Sequence, residues 1–122
     1  MVPRPLRITA FAVACGVIGW LSLAPTTTIP GLFTLWDKIE HAVAYLGLAL
    51  IGAYAFPQRL TRVATGLFLG GVGVEILQST MGLGRQGDPA DALANTIGIA
   101  TGLLLALVIR ERIKVKSPAR GE

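Results

Sequence analysis

Apolar residues run through this chain in long unbroken stretches, and polar residues gather between the stretches and at their ends. A helix crossing the hydrocarbon core of a bilayer needs about 17–25 mostly apolar residues. Four stretches meet that length: 8–24, 39–56, 63–81 and 89–109. The first closes at Pro25 and the second at Pro57, where a helix cannot easily continue. None alternates with the two-residue period of a half-buried strand, and an open sheet edge has no place in lipid. The connections are short, which predicts antiparallel neighbours in one bundle. The expected fold is therefore all-α, a four-helix transmembrane bundle forming one domain over 1–122, with a basic tail over 110–122.

Composition agrees with that pattern. The 122 residues are 52% apolar and 15% charged, too apolar for a soluble domain of this size to bury and too apolar for a disordered chain. One cysteine, Cys15, excludes an internal disulfide, and no Cys/His cluster suggests zinc. Retention of the first stretch is expected, because it exceeds the 7–15 apolar residues of a secretory signal.

The net charge of +4 reads as a topology signal once it is placed. Arg4, Arg7, Arg59, Arg62, Arg110, Arg112, Lys114, Lys116 and Arg120 fall on one side of the predicted bundle, against Lys38 and Arg85 on the other. That bias predicts cytoplasmic termini. No nucleic-acid partner is expected. Membrane lipids are, and a homo-oligomer stays open. Gly66/Gly70 and Gly98/Gly102 carry the small-xxx-small spacing that permits close helix approach.

Polar residues that hydropathy alone would not allow collect at the opposite, outer ends. Asp37, His41 and Tyr45 recur at four along the second helix, Glu75 and Gln78 lie three apart on the third, and Asp88, Asp91 and Asn95 step by three and four on the fourth. Each set shares a helix face. Facing lipid would be costly for all of them, so the faces are expected to point at one another around a polar pocket. Bland roles compete. Asp37 and Asp88 look like N-caps, with Glu40 and Asp91 completing capping boxes. Lys38 suits a snorkelling interfacial charge. Tyr45, Gln78 and Asn95 suit interhelical hydrogen bonding. Glu75, seven residues from its helix end, has no capping role, and its structural alternative is an ion pair with Arg85.

The blocks Asp37-Lys38-x-x-His41-x-x-x-Tyr45-Leu46, Glu75-x-x-Gln78 and Arg85-x-x-Asp88-x-x-Asp91-x-x-x-Asn95-x-x-Gly98 together resemble the VanZ-like family of small membrane proteins. The likeness covers roughly residues 36–102. It implies a bacterial cytoplasmic-membrane protein acting in the cell envelope, since the family is named for a protein of a glycopeptide-resistance cluster that lowers sensitivity to teicoplanin. It implies no particular reaction.

Three functions stay open at this point. One is binding or alteration of an envelope component, with a cell-wall precursor or glycopeptide as ligand. Another is a membrane-embedded acid/base enzyme acting on an envelope lipid or glycan. The third is a small proton-coupled transporter subunit. For chemistry, the candidates are Glu75, His41 and Asp91, because a carboxylate and an imidazole in low dielectric suit general acid and base work. Substrate contacts fall to Arg85, Gln78, Asn95, Tyr45, Asp37, Lys38 and Asp88, with Arg85 suited to an anionic group. Ser79 is no credible nucleophile. A divalent ion held by Asp37, His41, Glu75 and Asp91 is conceivable, but without a dense ligand motif the expectation is no metal and no cofactor.

Overall fold

In a computed structural model, residues 2–23, 34–81 and 89–116 are described, the side chains of 34–36 and 81 excepted. These residues form four helices and no strand: α1 (Arg4–Leu23), α2 (Thr34–Ala55), α3 (Leu60–Met81) and α4 (Pro89–Lys116). Three of them, α1, α3 and α4, are long and apolar enough to cross a membrane. The second is as long, but its first two turns hold Asp37, Lys38, Glu40 and His41, and those four lower its apolar content.

Every helix extends beyond its expected bounds at the N-terminal side or the C-terminal side. The largest change is in α4, which continues through Arg110, Arg112 and Lys114 to Lys116. Its 28 residues span about 42 Å at 1.5 Å per residue, more than the roughly 30 Å of the hydrocarbon core, so the last turns carry the basic charges clear of it. At the other extreme, α2 begins at Thr34, which places Asp37 within the first turn. Asp37 is therefore not the N-cap that the sequence suggested. Asp88, the matching cap on α4, lies outside the described residues, as do Arg85 and Arg120.

Helix α2 packs most extensively against α4, and it also touches α1 and α3. Among the described residues α1 and α4 make no contact with each other. The core holds Tyr45, Leu48, Ala49, Val63, Leu67 and Ile99, with Phe11, Cys15 and Phe56 packed on it. Phe11 meets Phe56 edge to face with centroids 6.0 Å apart, a favoured aromatic geometry. Cys15 is half-buried and free, a small packing residue.

The buried face of α4 shows how the fold is organised. It consists of Asp91, Ala94, Asn95, Gly98, Ile99 and Gly102, a three-four stripe of small and polar residues. Leu93, Ile97, Leu104, Leu105 and Val108 point outward instead. Polar and small inside, large and apolar outside is the arrangement lipid selects. A Cβ on Gly98 would run into the Ala42 backbone, and one on Gly102 would lie 2.6 Å from the Leu46 carbonyl oxygen and 2.8 Å from the Ala49 Cβ. These two glycines set the close approach of α4 to α2. Gly66 and Gly70 do not act this way, because nothing lies within 4 Å of a Cβ built on either. Their face of α3 is exposed, so the same spacing carries no interhelical contact there.

The two ends of the bundle differ in chemistry. At one, Arg7 donates to the Tyr54 carbonyl at 2.7 Å and stacks over the Tyr54 ring, while Arg110 donates to the Pro57 carbonyl at 2.9 Å. The arginines thus satisfy carbonyls that the end of α2 leaves without helical partners, and they bring the starts of α1 and α3 and the end of α4 to one basic end. The other end carries Asp37, Glu40, Glu75 and Asp91, whereas Glu111 stands at the basic end beside Lys114.

A polar site between the second and fourth helices

Asp37, Lys38 and His41 stand on the first two turns of α2, and Asp91 and Asn95 on the first two of α4. The glycine-mediated approach one and two turns further in aligns the two sets. Lys38 Nζ is ion-paired with Asp91 Oδ1 and lies 3.6 Å from Asp37 Oδ2. His41 Nε2 lies 3.8 Å from Asp37 Oδ1 and 3.6 Å from Asp91 Oδ2. Each carboxylate therefore turns one oxygen toward the lysine and the other toward the imidazole. Asp91 is 5% exposed and Asn95 3%. Carboxylates in the opening turns of both helices also sit where the helix dipole favours negative charge.

The second imidazole nitrogen fixes the electronic form of His41. Its Nδ1 is 3.0 Å from Asn95 Oδ1. A carbonyl oxygen only accepts, so Nδ1 carries the proton and donates. Nε2 is left facing two carboxylate oxygens.

The other sequence candidates fall nearby or elsewhere. Tyr45 is buried in the core. Its hydroxyl and the Asn95 Nδ2 lie 3.3 and 3.1 Å from where a Gly71 Cβ would be, so α2, α3 and α4 meet at that glycine. Glu75, 8% exposed, stands one turn beyond Gly71 on the same face of α3 and acts electrostatically on Tyr45. It is not among the three groups, Asp37, His41 and Asp91, whose ligand atoms lie within 4.8 Å of one another. Gln78 turns toward the first helix and donates to the Ser22 carbonyl at 2.6 Å, which ties α3 to the end of α1. Ser79 bonds back to the Glu75 carbonyl within its own helix.

Two features went beyond the sequence reading. Lys38 is not a snorkelling charge, because its ammonium is directed onto Asp91 across the helix pair. Asp91, read from the sequence as a pocket residue with capping as the alternative, belongs to the interhelical cluster, and its pairing with Lys38 is what the sequence did not show. Part of the signal was present: Asp91 and Asn95 share a helix face with Gly98, the glycine that packs against the Ala42 backbone of α2.

Three spanning-length apolar helices with charged side chains buried between helices define a multi-pass membrane protein with a polar interhelical site. A family model described as VanZ/LLP1 matches residues 6–110. The chain belongs to this VanZ/LLP1 family. No curated protein and no solved structure matches it.

Proposed function

We propose that this protein resides in the bacterial cytoplasmic membrane with its basic end and both termini in the cytoplasm, and that it binds or alters a cell-envelope component at its polar outer end, in the context of glycopeptide (teicoplanin) resistance. The observation that carries the reading is the cluster of Asp37, Lys38, His41 and Asp91 between two helices. Burying charges near lipid is costly, and a helix pair that only had to associate would manage with small and apolar residues. The basic residues at the opposite end support the orientation, and family membership supports the envelope context. The ligand class is an envelope molecule with both donor and acceptor groups, such as a cell-wall precursor or the glycopeptide itself.

Glu75 favours a second reading, a membrane-embedded acid/base enzyme acting on an envelope lipid or glycan. It is a buried carboxylate one turn from Gly71, where the Tyr45 hydroxyl and Asn95 meet α3, and it is not among the clustered ligand atoms of Asp37, His41 and Asp91, a placement suited to proton transfer.

The experiment measures teicoplanin susceptibility and membrane abundance for wild type, His41→Ala, Asp91→Asn and Glu75→Gln. Normal abundance with a lost phenotype in His41→Ala and Asp91→Asn is the expected result. Loss in Glu75→Gln alone would favour the enzyme. Unchanged susceptibility in all three would overturn both readings.

A further inference from the structure

We propose that Asp37, His41 and Asp91 form a binding site for a divalent transition-metal ion of the zinc type. Three donors of suitable chemistry, an imidazole nitrogen and two carboxylate oxygens, converge from two helices with their ligand atoms within 4.8 Å of one another. Metal–ligand bonds of about 2.0–2.2 Å at tetrahedral angles separate neighbouring donors by about 3.4 Å. The imidazole nitrogen already stands 3.6 and 3.8 Å from the two carboxylate oxygens, within a few tenths of an ångström of that separation, and the two oxygens lie within 4.8 Å of each other.

The orientation of His41 is the independent argument. A metal-ligating histidine characteristically donates its other N–H to an oxygen acceptor, which fixes the tautomer and aims the free nitrogen. Here the acceptor is Asn95 Oδ1 at 3.0 Å, on the helix that also supplies Asp91, and the amide is buried. The nitrogen so aimed meets one oxygen of each carboxylate, which together make the mixed N/O donor set that zinc accepts. The Lys38 ammonium lies on the other two oxygens, Asp91 Oδ1 and Asp37 Oδ2. Those are not the oxygens that face the imidazole. The lysine therefore acts as a positioning residue beside the ion, locking both carboxylates in the ligating orientation. Three protein ligands leave at least one coordination position for water or substrate, the pattern of open metal sites. The N-terminal ends of α2 and α4 oppose a cation and so weaken the site.

The inference rests on the geometry and needs no resistance phenotype, so its failure and that of the envelope role are distinguishable. The test is a Zn2+ titration of the purified, chelator-stripped full chain in detergent, with circular dichroism as the fold check. The expected result is one Zn2+ per chain, weakened at least tenfold in His41→Ala and Asp91→Asn and about tenfold in Asn95→Ala. Because the Asp37 side chain is 44% exposed, Asp37→Asn is the variant least disturbing to folding, and it too should lose at least tenfold. Absence of stoichiometric binding to wild type would overturn the proposal. Binding that persists unchanged in folded Asp37→Asn would overturn it equally.

Discussion

The two ends of this bundle solve the problem of charge at a membrane in opposite ways. At the basic end Arg7 and Arg110 reach along the surface to backbone carbonyls of Tyr54 and Pro57, and the other cations stand on exposed turns. Apart from the half-buried Arg7 and Arg110, the described cations there are exposed and act through their number and sign. At the polar end two acids, a lysine and a histidine meet between α2 and α4, with Asp91 buried, His41 and Lys38 partly so and the Asp37 side chain 44% exposed. There each charge depends on its neighbour. One end orients a protein, then, while the other is built with a fixed geometry that orientation alone would not require.

The sharpest way to break this contrast is to remove one charge from the buried side. Asp91→Ala leaves Lys38 and His41 short of an anion, and it should cost about 3–5 kcal/mol, as breaking a buried pair does. Reversible unfolding in detergent would read it. A loss below 1 kcal/mol would place Asp91 with the solvated charges.

Next comes the spacing that aligns the cluster. Gly98→Leu must push α4 away from the Ala42 backbone and should cost about 1–3 kcal/mol or more. Gly66→Leu meets open space and should stay within about 0.5 kcal/mol. Equal effects would erase the distinction between the two glycine pairs.

Smallest is the stability effect at the basic end. Arg110→Gln removes a charge-assisted hydrogen bond at a partly exposed site and should cost about 1 kcal/mol or less. Its consequence belongs to topology. Combined replacement of Arg110, Arg112, Lys114 and Lys116 should increase the fraction of chains with the C-terminus outside, measured by reporter fusions.

The helices were legible in the sequence because a span of 17–25 apolar residues has few other physical readings. Which faces meet was only partly legible. Gly66/Gly70 and Gly98/Gly102 have the same spacing, and the helix rotation that separates them comes from packing. Asp91 reads as a capping residue by position, and only the meeting of α2 with α4 shows it as a partner for Lys38. Gln78 shares a helix face with Glu75 in the sequence, yet it ends on the Ser22 carbonyl, because the end of α1 comes near the last turns of α3. Helix type follows from local composition, whereas these partnerships depend on contacts between segments more than 50 residues apart.

A double-mutant cycle on Lys38→Met and Asp91→Leu, with unfolding free energy measured in detergent, addresses the interhelical cluster itself. A coupling energy of about 2 kcal/mol is expected for groups in direct contact within one network. Additive single effects, agreeing within about 0.5 kcal/mol, would mean that the two helices do not share a charged site.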